Sequence, residues 1–318
     1  MLRIAVLDDY AQVALKLADW SSLRQRAEVV VFDRPLGEEQ AREVLRGFTA
    51  VCLMRERMAF PGRLIRALPD LRCIAITGPR NRTLDLDAAR ACGIAVCTAS
   101  GSPAASGGTV ELAWGLILAA ARQLPQQIQS LRAGTWQLEP GQILRGKTLA
   151  LLGLGRLGAQ MVPVARAFGM EVIAWSPNLT VERAQAAGAE HVRREALFER
   201  ADFLSLHLVL SERTAGLVGE PDLERMKPGA WLVNTSRAGL VDPDALFRCL
   251  ERRRIAGAAL DVFEVEPLPA GDRLLTLPNV LLTPHLGYYT VEQMGAFYRN
   301  TVTNLQSFLD GKPINLVG

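Results

Sequence analysis

The run Thr148-Leu-Ala-Leu-Leu152 passes directly into Gly153-Leu-Gly155-Arg-Leu-Gly158, then into an amphipathic stretch that ends near Gly169. A second apolar run, Glu171–Trp175, follows. A short apolar run bounded by turn residues reads as a buried strand, and the amphipathic stretch reads as a helix. Strand, glycine turn, helix and strand in that order can close only as a βαβ unit, because parallel strands need a long crossover. This stretch therefore commits the chain to an α/β fold with parallel sheet.

The same alternation runs through most of the 318 residues. Strands are expected at Arg3–Leu7, Val29–Phe32, Ala50–Met54, Cys73–Thr77 and Ala95–Cys97, with helical patterns such as Glu38–Arg46 and Leu84–Cys92 between them. The stretch 99-ASGSPAASGGT-109 breaks the rhythm with small residues and proline, which marks a linker. A helix over Val110–Arg122 follows. A second block places strands at Thr148–Leu152, Glu171–Trp175, Phe203–Leu206, Ala230–Asn234, Gly257–Leu260 and Val280–Leu282. The long amphipathic pattern Val291–Leu309 lies beyond the last of these and is expected to return to the first domain. The expected fold is α/β, with two doubly wound Rossmann-like domains and a cleft between them. A flavodoxin-like substrate domain takes residues 1–98 and 286–318, and a nucleotide-binding domain takes 99–285. Hinges are expected near Ser100 and His285.

Bulk properties remove several function classes. The 36 basic and 33 acidic residues balance to +3, which makes no case for nucleic acid. The densest basic cluster, Arg252–Arg254, suits a helix end. No apolar run approaches the roughly 18 residues of a membrane span. The opening MLRIAVLDDY runs into acids and lacks the apolar centre of a signal peptide. The five cysteines (Cys52, Cys73, Cys92, Cys97, Cys249) are odd in number and show no metal-ligand spacing. Reduced thiols, a cytoplasmic protein and no metal site are expected.

The glycine turn carries a ligand prediction. Gly153 permits the tight turn, Gly155 lets a pyrophosphate approach the backbone, and Gly158 lets helix and strand pack closely. The helix start offers N–H donors and partial positive charge to phosphates. A nicotinamide dinucleotide is the expected cofactor. At the end of the next strand, Trp175-Ser176-Pro177-Asn178, Ser176 stands where an NAD-selective site carries an acid. The nearest downstream arginine is Arg183, so NAD and NADP both stay open. The expectation is dual use, with catalytic efficiencies for the two within about a hundredfold.

Three further strand ends bear chemistry. One closes on Arg237 in 234-NTSRAG-239, one runs into Asp261 and Glu266 in 259-ALDVFEVEP-267, and one ends at His285 in 283-TPHLGY-288. In an open α/β sheet the carboxyl ends of strands line the ligand crevice. Arg237 offers a planar fork suited to a carboxylate and its neighbouring carbonyl. His285 is the candidate general acid, with Glu266 to orient it and favour imidazolium. Glu264 is the rival acid. His191 is expected to face solvent from a polar helical stretch, and His207 to end a strand.

With these motifs in view (GLGRLG, NTSRAG, DVFxxEP, TPH), nearly the whole chain resembles the D-isomer-specific 2-hydroxyacid dehydrogenases. The resemblance implies an Arg237/Glu266/His285 triad and contact between Asp261 and the nicotinamide carboxamide. It also implies that Thr109 and the strand end His207-Leu208-Val209 border the cofactor. Arg156, Leu157, Asn178, Thr235 and Ser236 complete the expected cofactor contacts. The implied reaction is reversible reduction of a 2-oxo acid to a D-2-hydroxy acid by hydride from NAD(P)H. Formate oxidation on the same fold ranks low, and a dinucleotide-binding protein without turnover is a further reading. The main alternative is a dinucleotide-sensing, corepressor-like binding module.

One loop departs from the family pattern. Where relatives read roughly G-x-D-N-I-D, this chain has 77-TGPRNRTLD-85. Gly78 and Asn81 keep part of the pattern, while Arg80 and Arg82 replace neutral or acidic residues. Arg55 and Arg57 stand at another strand end. Arg55, Gly78, Arg80 and Asn81 are therefore the expected substrate-binding residues, and the added arginines raise the expectation of a second anionic group on the substrate. The apolarity of Leu112–Ala121 leads to the expectation of a homodimer through the nucleotide-binding domain.

Overall fold

The computed structural model describes residues 1–317, and its chain forms two compact units. Unit 1 comprises Met1–Ser106 with Tyr289–Gly318, and unit 2 comprises Gly107–Tyr288. These junctions fall eight and three residues beyond the expected 98/99 and 285/286 positions.

Unit 1 holds a five-stranded, wholly parallel sheet: β1 (Leu2–Val6), β2 (Ala27–Val31), β3 (Ala50–Leu53), β4 (Cys73–Thr77) and β5 (Ala95–Ala99), in the order β2-β1-β3-β4-β5. Parallel strands are covered on both faces, so they read as continuous apolar runs rather than alternating ones. Every residue of β3 and β4 is buried accordingly. The helix Val291–Leu309 packs on β4 and β5, where Asn304 Nδ2 donates to the Thr98 carbonyl at 2.9 Å. Arg26 ties its far end through an ion pair with Asp310 at 2.6 Å. The strand order reverses between β1 and β3, which is the place where open α/β sheets gather ligands.

Unit 2 holds a seven-stranded parallel sheet. Its strands are β6 (Thr148–Leu152), β7 (Glu171–Trp175), β8 (Glu190–His191), β9 (Phe203–Leu206), β10 (Trp231–Asn234), β11 (Gly257–Leu260) and β12 (Val280–Leu282). The order is β12-β11-β10-β9-β6-β7-β8, the doubly wound arrangement with its switch point between β6 and β9. Six of these were expected. The seventh, β8, has two residues and no apolar signal, and pairs with β7 only through Ile173↔Glu190 and Ala174↔His191. His191 therefore sits at an edge strand, not in a helix.

The helix Gly108–Arg122 corrects the reasoning behind the expected dimer. Val110, Ala113, Trp114, Leu116, Ile117, Ala120 and Ala121 are buried in the unit's own core, with Leu112, Leu118 and Ala119 packed against it. Its apolarity is absorbed within the unit. The surplus lies just beyond, in the helix Leu124–Arg132, which buries no residue and was not expected from the sequence. Leu124, Ile128 and Leu131 are exposed there, and Trp136 and Ile143 on the following segment are 77% and 71% exposed.

Candidate active site

In unit 2 the glycine turn sits at the tip of β6. Gly153 adopts φ +107°, and a Cβ there would lie 2.7 Å from the His207 carbonyl oxygen. A Cβ on Gly158 would overlap the Gly153 carbonyl. Gly155 is exposed, and a Cβ there would meet nothing within 4 Å. It precedes the helix Arg156–Ala167, which has no side-chain cap, so the first N–H groups of Arg156 and Leu157 keep their donor capacity. An open, uncapped helix start above glycines fits a pyrophosphate, and the residues present suit a dinucleotide. Arg156 is exposed, and Leu157 is half-buried.

The tip of β9 lies against this turn. His207 N donates to the Leu152 carbonyl at 2.9 Å, and its Nε2 contacts Ser205 Oγ at 2.9 Å. Burial of the ring pushes His207 down to about 4, so it is neutral near pH 7. The Leu208 carbonyl accepts from Ser236 Oγ at 2.6 Å, which joins the β9 and β10 tips. Ser176 and Asn178 follow β7, half-buried and exposed respectively.

At the tip of β10, Asn234 shapes the turn that presents the arginine. Its Nδ2 donates to the Arg237 carbonyl at 2.9 Å, and its Oδ1 accepts from Ser236 N at 3.0 Å. Thr235 is buried, and its Oγ1 has no partner among the described residues. Arg237 is half-buried and donates from Nη1 to the Ser236 carbonyl at 2.7 Å.

Glu266 and His285 form a direct pair, Oε2 to Nδ1 at 2.6 Å, with both side chains a little over a quarter exposed. Glu266 Oε1 also accepts from Phe263 N at 3.0 Å. Burial alone would raise the Glu266 carboxyl. The hydrogen bond and charge of His285, the Phe263 N–H and the nearby Arg237 outweigh it, so Glu266 lies below its ordinary value. It stays ionised near neutrality and occupies Nδ1, which leaves Nε2 as the nitrogen that can exchange a proton. His285 adopts φ +54°, and its ring meets Tyr288 edge-on at 5.4 Å. Glu264, the rival acid, is exposed.

Asp261 is fully buried at the tip of β11. Its carboxylate accepts from Thr283 Oγ1 at 2.6 Å, Leu286 N at 2.7 Å and Gly287 N at 2.9 Å. Burial is the largest influence and raises its carboxyl, against the lowering effect of these donors. Thr109 Oγ1 donates to the Gly287 carbonyl at 2.9 Å. Asp261 and Thr109 thus brace the segment that carries His285. That bracing is invisible in the sequence, because the partners are mostly backbone groups distant along the chain.

In unit 1, taken by itself, Arg55, Gly78 and Asn81 come together at the tips of β3 and β4. Arg55 N donates to Thr77 Oγ1 at 2.7 Å, and Asn81 Nδ2 donates to the Arg55 carbonyl at 2.6 Å. Gly78 has φ +85° and lies beneath the Arg55 guanidinium, where any Cβ would overlap Nη1. Arg82 pairs with Glu56 at 3.2 Å, and Arg80 is exposed on the surface. Arg57, Asp8, Tyr10 and Tyr289 gather at the strand-order reversal. Arg57 Nη1 reaches the Asp8 carbonyl at 2.6 Å, with its guanidinium 4.8 Å from the Tyr10 ring and 5.6 Å from that of Tyr289. Asp8 is buried with Oδ2 unpartnered among the described residues, and burial raises its carboxyl. Sequence reading singled out Arg57 but none of its three companions.

Among the described residues no group of three His, Cys, Asp or Glu is arranged to hold a metal, and no helix is long and apolar enough to cross a membrane.

Comparison with known proteins agrees with this geometry. Residues 114–287 match the family described as D-isomer specific 2-hydroxyacid dehydrogenase, NAD binding domain. The chain is 37% identical over 315 residues to a D-3-phosphoglycerate dehydrogenase of Methanocaldococcus jannaschii; the match takes in 98% of this chain and 58% of that protein. It is 37% identical over 264 residues to a glyoxylate reductase of Thermococcus litoralis, across 80% of this chain and 79% of the relative. The crystal structure of a phosphoglycerate oxidoreductase from Vibrio cholerae O395 is similar with a TM-score of 0.91 at 37% identity, covering 98% of this chain and 100% of that one. The apo-structure of D-lactate dehydrogenase from Escherichia coli gives 0.83 at 28% identity, with both chains fully covered. The chain belongs to the D-isomer specific 2-hydroxyacid dehydrogenases.

Proposed function

We propose that the chain reversibly reduces a small 2-oxo acid to the D-2-hydroxy acid with NADH or NADPH. The observation that carries this reading is the Glu266–His285 pair at 2.6 Å with Arg237 close enough to act on the same carboxylate. When bound, the nicotinamide supplies the hydride. Arg237 holds the substrate carboxylate and polarises the carbonyl, a double task that its planar fork can perform. As negative charge grows on the carbonyl oxygen, His285 delivers a proton to it from Nε2. Glu266 holds Nδ1 and offsets the imidazolium charge before transfer. In the oxidative direction His285 takes that proton back. The glycine turn, Arg156, Leu157, His207, Leu208, Thr235 and Ser236 are the proposed cofactor contacts, with Asp261 and Thr109 positioning the segment beside them. Arg55, Gly78 and Asn81 are the proposed substrate-side residues of unit 1.

Relatives named for phosphoglycerate, glyoxylate and hydroxypyruvate set the substrate panel. The experiment follows near-ultraviolet absorbance of NADH or NADPH with that panel, alongside Arg237→Ala. Loss of a contact to developing charge costs roughly a hundredfold to a thousandfold in kcat. A kcat in Arg237→Ala within about tenfold of the parent would sink the assignment. Tight dinucleotide binding without turnover on any oxo acid would move the reading to a sensing module.

A homodimer is also proposed, through the exposed apolar residues of Leu124–Arg132 and the segment after it. A monomeric mass by sedimentation at micromolar concentration would refute it. Five unbridged cysteines favour a reducing compartment, hence the cytoplasm.

A further inference from the structure

The tip of β7 decides how the ribose 2′ position of a dinucleotide is read. Ser176 stands there with no carboxylate of its own. Among the described residues neither its hydroxyl nor the Asn178 side-chain amide is hydrogen-bonded to another side chain or backbone group. Along the sequence Arg183 lies too far on to count as a neighbour. The chain, however, doubles back. Leu179 N donates to the Ser176 carbonyl at 3.1 Å, and Arg183 N donates to Thr180 Oγ1 at 3.3 Å. Arg183 Nη1 then reaches the Asn178 carbonyl at 3.2 Å. The guanidinium is therefore tethered over the same turn as Ser176, and among the described residues its remaining N–H groups donate to no protein acceptor.

We infer that this turn favours NADPH over NADH, with Arg183 meeting the 2′-phosphate and Ser176 and Asn178 as neutral donors beside it. The inference rests on the reading above that unit 2 binds a nicotinamide dinucleotide. Three observations support it together. An acid that would repel the phosphate is missing from the strand tip. A planar cation, matched to phosphate in shape and charge, is fixed at the turn by its own backbone contact. Two uncharged donors are unoccupied.

One charge opposes it. Glu182 is exposed, and its carboxyl is held below the usual carboxylate range by its own N–H and by the Thr180 hydroxyl. Solvent screens that charge more than it screens a direct guanidinium–phosphate contact. A single exposed contact of this kind corresponds to about tenfold in affinity, which leaves NADH usable.

The test measures equilibrium binding by calorimetry or tryptophan fluorescence on the full chain, without substrate. The probes are NADPH, NADH and the fragments 2′,5′-ADP and 5′-AMP. NADPH and 2′,5′-ADP are expected to bind about tenfold more tightly than NADH and 5′-AMP. Arg183→Ala is expected to bring both ratios toward one, Arg183→Lys to keep part of them, and Glu182→Gln to enlarge them. NADH binding as tightly as NADPH would overturn the inference and leave the proposed activity standing. So would a ratio untouched by Arg183→Ala. Binding of neither dinucleotide would overturn both.

Discussion

Replacing Asp261 with asparagine tests whether His285 is held in place by a buried carboxylate. The side chain is fully buried and accepts three hydrogen bonds, of 2.6, 2.7 and 2.9 Å, from Thr283, Leu286 and Gly287. Asparagine keeps one acceptor oxygen, which can still serve Thr283 and Leu286. Its amide then faces the Gly287 N–H, donor against donor. A buried donor left without a partner costs about 1–3 kcal/mol, and two face each other here. Relief of the burial that raises the Asp261 carboxyl offsets part of this, so a net local cost of about 1–3 kcal/mol is expected. At roughly 1.4 kcal/mol per factor of ten, amide exchange at Leu286 and Gly287 should rise about tenfold to a hundredfold. Because His285 lies on the same segment, kcat/KM should fall by a comparable factor. The assay is hydrogen–deuterium exchange across residues 283–288 without cofactor, paired with steady-state kinetics. Faster exchange without cofactor is what a brace predicts and a pure cofactor contact does not. Unchanged exchange with a large loss of kcat/KM would refute the bracing argument.

Other outcomes follow from the same geometry. His285→Gln should lower kcat in both directions by about a hundredfold or more while leaving dinucleotide affinity within a few fold, as read by fluorescence titration. Neutral, half-buried His207 weakens the fold on the acid side: its folded value lies near 4 against an ordinary 6.5, so the unfolded chain binds the proton more readily. Stability should therefore be whole above about pH 6.5, fall between there and pH 4, and level off below, by at most about 3 kcal/mol. Denaturant melts of the protein and of His207→Gln across that range should show the slope vanish in the variant. Gly78→Ala should destabilise unit 1 by about 1–3 kcal/mol, because the position needs φ +85° and a Cβ would displace Arg55. Thermal melting checks it, and a melting temperature equal to that of the parent would show that the loop adapts.

The sequence made the strand tips legible because chemistry there is written in residue type. Arg237, Glu266 and His285 each end an apolar run, and the glycines announce the turn before the helix. What stayed hidden was of two kinds. Two-residue β8 carries no periodicity, and Leu124–Arg132 hides behind the helix whose apolarity drew attention. The second kind is reach between segments. Arg183 was judged by its distance along the chain, yet its side chain returns to Asn178. Arg82 stands in the sequence as an added charge beside Arg80, yet Glu56 pairs with it. Asp8, Tyr10 and Tyr289 meet Arg57 only because the strand order brings β1 beside β3.

Arg237, Glu266 and His285 follow three separate strands, and single strands do not fix their mutual distances. Lateral bonds do. The Leu208 carbonyl holds Ser236, which precedes Arg237. The Asn234 carbonyl accepts from Asp261 N at 3.0 Å, joining the β10 tip to the β11 tip. Asp261 then grips Thr283, Leu286 and Gly287 on either side of His285, and Thr109 holds the Gly287 carbonyl from the other direction. The acid–base pair thus closes a chain of backbone and side-chain bonds that begins at the nucleotide turn. A shift of any tip is passed to the next through bonds shorter than about 3 Å. This accounts for the placement of a fully buried carboxylate beside the Glu266–His285 pair. Its donors are mostly backbone, so it fixes position rather than identity, and it can do so before any cofactor arrives.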